Sequence, residues 1–217
     1  KEVAEVVPRA RIIRYDSDSV SKRGSHEIFF SAFAEKKADI LIGTQMVAKG
    51  LDFADVTLVG VVSADTALNL PDFRAAERTF QLLTQVAGRA GRGGDAGRVI
   101  IQTLLPQHYS IGHAVGHDYV GFAVRELKER RELGLPPWAY LVLCRAQGED
   151  EEQVKAVLTE LRGELRREAG DGGMVEIWGP VPHPVVRVRR RFRWNLLCKS
   201  VDRALLHDVV RRARAAL

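Results

Sequence analysis

Cysteine is nearly absent from this chain: Cys144 and Cys198 are the two in 217 residues, far apart and set in apolar stretches. That leaves no disulfide framework and no thiolate metal site, and it suits a reducing compartment, so a cytoplasmic location is expected. Long hydrophobic runs are missing as well. None approaches the roughly 20 residues that a helix needs to span a bilayer, and no membrane partner is expected. The sequence opens KEVAEVVPRA, with no initiator Met, basic n-region or apolar h-region, and reads as a segment cut from a longer chain without a secretion signal. Two strings of nucleotide chemistry are lacking too. A P-loop requires G-x-x-x-x-G-K-[ST], and the nearest match, GTQMVAKG, sets Lys49 ahead of the glycine; a DExH-like acidic box is absent.

What is present has the balance of a globular protein, 46% hydrophobic and 28% charged, and the length suits two modest domains. The net charge of +5 leans toward a polyanionic partner. In the first half, short β-branched runs alternate with helical stretches, the order of βαβ units in a parallel sheet. Arg11–Tyr15, Asp39–Ile42, Val56–Val62 and Arg98–Thr103 read as strands, Ser25–Lys36 and Phe73–Ala87 as helices. VTLVGVV is apolar at successive positions, which predicts a strand covered on both faces. After Pro106 a helical pattern aligns Tyr119, Phe122, Ala123 and Leu127, and the segment Leu135–Trp138 then interrupts it. Beyond it, the pattern predicts a strand at Tyr140–Ala146 and a helix whose stripe is Val154, Val157, Leu158, Leu161 and Leu165. Strands at Val175–Trp178 and Arg191–Lys199, and a last helix through Leu205, Leu206, Val209, Val210 and Ala213, complete the chain. The expected fold class is α/β: a RecA-like parallel-sheet lobe over 1–134, then a small α+β domain of β-α-β-β-α order over 135–217.

Two segments carry chemistry. In QVAGRAGR, Gln85 to Arg92, the predicted helix ends on Arg89 and Arg92, three apart, with Gly88 and Gly91 keeping the backbone clear. A permanently charged, planar guanidinium can donate two hydrogen bonds to a γ-phosphate and stabilise charge that develops during its transfer. Taken alone, the same string also suits a helix C-terminus whose cations complement the dipole. The other segment, ILIGTQMVAKGLDF, follows a predicted strand directly. Thr44 can cap a short helix there and offer amides to a phosphate, and open α/β sheets place ligands at such strand ends. Asp52, in the turn begun by Gly50, can accept from a ribose hydroxyl, although for Asp52 taken alone an ordinary solvated turn is the better explanation.

GTQMVAKGLDF followed by QVAGRAGR resembles motifs V and VI of superfamily II helicases. The intervening PDFRAAERTFQLLTQ, and the LPPW, GPVPHP and FRWNLL segments beyond, resemble the bacterial primosome-assembly helicases of the PriA family, so the likeness covers nearly the whole chain. The resemblance implies an ATP-dependent 3′ to 5′ DNA helicase that recognises stalled replication forks and initiates primosome assembly for replication restart. By motif, it places Thr44, Gln45 and Lys49 on DNA, Gly50 and Asp52 near ATP, and Gln85, Arg89 and Arg92 in the catalytic set, with Arg89 and Arg92 facing the γ-phosphate. Asp16 and Asp18 resemble an aspartate-rich strand end of the same lobe. ATP and Mg would be shared with a first lobe upstream of Lys1, where the family also carries its zinc module; no metal is expected in this chain, and alone it should not hydrolyse ATP. Implied partners are forked and single-stranded DNA, the acidic C-terminal tail of single-stranded DNA-binding protein, and proteins of the primosome and of replicative-helicase loading. A monomer is expected.

In VRVRRRFRWNLLCK, strand alternation sets Arg189, Arg191, Arg193 and Asn195 on one face and Phe192, Trp194, Leu196 and Cys198 on the other. Guanidiniums at every second residue can follow phosphates, bind an acidic peptide, or simply keep an edge strand from aggregating. The resemblance assigns Arg189 and Arg193 to DNA and Arg191 and Asn195 to the acidic tail, where the family often has Gln in place of Asn195. His113 and His117, four apart with His108 nearby, lack a suitably spaced acidic or thiolate ligand for a metal. Two rival functions share these features: another superfamily II DNA translocase, which the C-terminal segments disfavour, and a non-hydrolysing scaffold that holds DNA and proteins.

Overall fold

The computed structural model describes residues 2–15, 31–44, 56–88 and 97–217, and the chain divides into two compact units. The first comprises Lys1–Asn69 and Arg74–Phe122, the second Leu70–Phe73 and Ala123–Leu217. Of the predicted helix Ser25–Lys36, residues 31–34 are described and are helical.

In the first unit a short helix α1 (Glu2–Val6) precedes β1 (Ile12–Tyr15), which pairs in parallel with β2 (Ile40–Gly43), Ile12 opposite Ile40. The entries to both strands are clamped together. Arg11 donates from its backbone N, Nε and Nη2 to the Asp39 carboxylate at 2.8, 3.0 and 2.6 Å, and that contact holds the carboxyl down to about 2. A second parallel pair joins β3 (Leu58–Val61) to β4 (Arg98–Ile101). Its faces are unequal: Val59, Val61, Val99 and Ile101 are half-buried, while Leu58 and Ile100 are 57% and 53% exposed. Cover on both faces of β3, expected from VTLVGVV, is therefore met on one face. Successive side chains of a strand point to opposite faces, so one packed layer shelters only every second residue.

That layer is helical. α2 (Asp65–Leu68) and α3 (Ala75–Ala87) follow β3, and α4 (Tyr109–Val115) packs on α3 to form a core of Ala64, Phe80, Leu83, Ile111, Ala114 and Phe122. Phe80 and Phe122 stack with ring centroids 4.1 Å apart. A buried carboxylate fastens the strand ends to these helices. Asp65, 6% exposed, accepts from Thr103 Oγ1 at 2.6 Å and from the Leu104 backbone N at 3.0 Å, and those bonds hold it below the usual carboxylate range.

Helix α5 (Tyr119–Glu132) differs from its predicted face. Phe122 is buried, but Tyr119 and Leu127 are 68% and 43% exposed, and Glu126 is buried instead. Arg130 makes this burial possible one turn on, with Nη2 to Oε1 at 2.6 Å, and its guanidinium lies over the Phe73 ring at 5.0 Å. The helix ends where Gly134 takes φ +56, its N–H bonding Arg131 O while Leu135 N–H bonds Arg130 O. This left-handed ending is the one a glycine makes inexpensive.

The second unit has the expected β-α-β-β-α order: β5 (Tyr140–Gly148), α6 (Glu151–Ala169), β6 (Glu176–Val188), β7 (Arg191–Ser200) and α7 (Arg203–Ala215). The sheet is antiparallel in the order β5-β7-β6. The strand expected at Val175–Trp178 is the start of one long strand, β6, whose pairing with β7 slips between Trp178 and Val181 and again between Pro182 and Arg187. Prolines explain the slips, since they cannot donate to a ladder. Asp150 and Asp202 cap the helices by accepting from backbone N–H groups, and both helices cover one sheet face. Leu158, Leu165, Leu196 and Leu206 are fully covered, each contributing about 1.5–3 kcal/mol, whereas Val157 of the predicted stripe is 48% exposed. Cys144 and Cys198 are free thiols.

Candidate nucleic-acid interface

The two chemical segments sit where strands and helices end. Thr44 follows β2 directly and is exposed at the carboxyl end of a parallel strand. Gln85 is half-buried in the last turn of α3, and Gly88 closes that helix by donating to Thr84 O at 3.1 Å. Asp16, Asp18, Gln45, Lys49, Gly50, Asp52, Arg89 and Arg92 lie outside the described residues. Sequence reasoning passed over Ser63, at the carboxyl end of β3, which holds φ +58 with its hydroxyl 3.1 Å from that of Thr66. A non-glycine residue held left-handed at such a strand end marks a position where surrounding structure imposes the conformation. Only the small, polar SADT string hinted at it.

The basic strand is better defined. β6 and β7 form a hairpin whose two-residue loop is Arg189-Arg190, at φ +48 and +67, with Val188 opposite Arg191. Both residues are left-handed, the geometry that asparagine and glycine normally supply, and each arginine there costs about 1–2 kcal/mol. Arg189 is thus at the tip of the hairpin and not on the strand face where alternation set it; strand pairing begins with Arg191, because the turn uses up the two preceding residues.

On the helix-free face of the sheet, Arg191 is exposed, Arg193 half-buried and Asn195 half-buried. Register brings Arg145 of β5 opposite Asn195, and Arg145 Nε donates to Asn195 Oδ1 at 3.1 Å. Arg145 escaped the sequence reading; the alternation of YLVLCRAQG carried the signal, but only register shows which strand faces it. Arg193 donates from Nε and Nη2 to Val185 O at 3.1 and 2.7 Å and so bridges the stretch where β6 and β7 slip out of pairing. Burial, and secondarily the charges of Arg193 and Arg145, hold His183 below the ordinary imidazole value. Among the described residues, none of Arg145, Arg191 and Arg193 pairs with a carboxylate, which leaves an anion-attracting field on this face. The opposite face packs inward, Phe192 beneath the Arg187 guanidinium at 4.8 Å and Trp194 donating to Glu151 Oε1 at 3.1 Å.

The histidines considered for metal have other engagements. His113 Nδ1 lies 3.0 Å from Asp118 Oδ2, and His108 caps α4 by accepting from Ser110 N.

Comparison with known proteins decides the family. Residues 8–94 match the helicase conserved C-terminal domain, and residues 131–217 match the primosomal protein N C-terminal domain. A replication restart protein PriA from Bacillus subtilis is 48% identical over 212 residues, 98% of this chain and 26% of that protein. The chain belongs to the PriA family. Others of the family, from Synechocystis and Chlamydia trachomatis, are 46% identical over 192 residues and 41% over 216, which is 88% and 98% of this chain and 23% and 28% of those proteins. The chain thus spans about a quarter of the length of these PriA proteins and corresponds to their C-terminal portion.

Proposed function

We propose that this chain supplies half of the ATP site and a DNA- and protein-binding domain to an ATP-dependent 3′ to 5′ helicase of replication restart. The observation that carries the reading is the match of residues 8–94 to the helicase conserved C-terminal domain, with one motif string starting at Thr44 just after β2 and the other at Gln85 in the last turn of α3. Thr44, Gln45 and Lys49 contact DNA; Gly50 and Asp52 line the nucleotide. Gln85, Arg89 and Arg92 stabilise charge on the γ-phosphate, with Arg92 as the finger. ATP with Mg supplies the phosphoryl group and its charge-neutralising ion, held largely by a first lobe whose P-loop this chain lacks. Zinc belongs to upstream parts of such a protein. The accessory domain begins after Gly134, and the protein works as a cytoplasmic monomer.

Arg191 and Asn195, flanked by Arg145, suit the carboxylates of an acidic tail such as that of single-stranded DNA-binding protein, and Arg189 at the hairpin tip, with Arg193, suits DNA phosphates. In the full-length protein, Arg92→Ala lowers DNA-stimulated ATP hydrolysis by about 10³ or more while nucleotide binding persists. Unchanged hydrolysis would sink the finger assignment and favour the scaffold reading. Arg191→Glu weakens binding of an acidic tail peptide about tenfold at low salt, measured by fluorescence anisotropy. An unaffected titration removes this face from the site.

A further inference from the structure

The sheet of the second unit has two edges, and they are treated differently. β6 carries Pro180, Pro182 and Pro184 and slips its register twice, devices that keep a foreign strand from pairing. β5, the other edge, runs nine residues without a proline or a slip, and among the described residues no backbone other than β7 bonds to it. An unguarded edge of this length exposes a row of N–H and C=O groups.

Beside that edge lies a groove of about 590 Å³ lined by Val142, His207, Val210, Arg211, Arg214 and Ala215. None of these comes from β6 or β7, so the groove follows the outer margin of β5. Four of them, His207, Val210, Arg211 and Arg214, recur at spacings of three and four along one flank of α7. Its floor is aliphatic and its outer wall cationic. The acid on this side is Asp208, which pairs with Arg211 at 2.9 Å with both side chains well exposed, an arrangement worth little in water.

We propose that this margin is a docking site for an extended acidic peptide. The peptide adds to β5 as a fourth strand; alternate side chains enter the groove, apolar ones over Val142 and Val210 and acidic ones against Arg211 and Arg214. Strand pairing supplies affinity independent of sequence, and the α7 flank selects charge. Nucleic acid fits less well, because it has no amide ladder to offer the edge and the groove is lined by no Phe, Tyr or Trp ring for a base. The site lies at the β5–α7 margin and does not use the Arg191–Asn195 face, so it stands or falls independently of the proposed tail site.

The test uses the full-length protein and a labelled octapeptide of alternating Asp and Val, followed by anisotropy at low salt. Saturable binding is expected, weakened about tenfold or more when Arg211→Glu and Arg214→Glu are combined, and weakened less by Arg191→Glu. Both arginines are exposed, so the double variant should keep the parent's thermal melt. Because successive amides of a strand point opposite ways, methylating odd-numbered or even-numbered peptide nitrogens should give unequal losses. Amide exchange should slow across Tyr140–Gly148. The proposal is overturned by any of four results: no saturable binding, equal binding of a Lys-for-Asp peptide, equal losses from the two methylation patterns, or sensitivity to Arg191→Glu but not to the double reversal. Displacement of forked DNA through Arg211 and Arg214, without peptide binding, reassigns the groove to nucleic acid.

Discussion

The two units hold themselves together in different ways. The antiparallel unit buries its leucines between a three-stranded sheet and two helices, with strands of nine to thirteen residues in continuous or bulged register. Among its described residues, the first unit has strands of four residues each and a buried cluster that is mainly helix on helix, Phe80 and Leu83 against Ile111, Ala114 and Phe122, with Val61 and Ile101 of the strands beside it. Its strand pairs depend on polar clamps at their ends, Arg11–Asp39 and Asp65–Thr103, and one face of β3 and β4 stays open.

The widest test of that contrast is to remove one anchor from each core. Phe80→Ala takes away a stacked ring and lowers stability by about 3–5 kcal/mol; Leu165→Ala, fully covered, costs about 2–5 kcal/mol. Followed by hydrogen exchange in denaturant, each substitution should accelerate exchange in its own unit and spare the other. Parallel loss of protection in both units would show a single cooperative core and break the comparison.

A smaller effect sharpens it. Arg190→Gly places at φ +67 the residue that adopts it freely, and should raise the stability of the antiparallel unit by about 1 kcal/mol in thermal melts. A lower melting temperature would mean that the arginine side chain, and not the backbone, governs the tip.

The least expected change concerns acid. Asp65 has its folded pKa depressed, so the folded state binds its proton less readily than the unfolded chain does. Its contribution is complete above the unfolded value of about 4 and is lost as pH falls through the lower folded value. Asp65→Asn should therefore lower stability at neutral pH and flatten the acid limb of the first unit's stability profile, with little change in the second. An unaltered acid limb places the acid sensitivity elsewhere.

How much of this could be read beforehand varied with the kind of interaction. Elements with a strong apolar period, such as the helix of Val154, Leu158, Leu161 and Leu165, were legible because burial and spacing are the same fact. The element ends from which the two motif strings start were legible: a strand closing just before Thr44 and a helix closing just after Gln85. Glu126 was not, since its burial depends on Arg130 one turn later and on Phe73, far back in the chain. Arg189 was placed on a strand because two arginines do not advertise a left-handed turn. Asn195's neighbour Arg145 required the register of β5 and β7, which no local pattern encodes.

Arg193 gives the hairpin a further property. Between Pro182 and Arg187 the two strands are joined by its guanidinium on Val185 O in place of a regular ladder. A ligand that takes over the Nε and Nη2 donors of this guanidinium must release Val185, and a change that loosens Val185 must make those donors more available. Occupancy and stiffness are then thermodynamically linked with opposite sign. The order of a few residues in β6 becomes a gauge of what the basic face is holding.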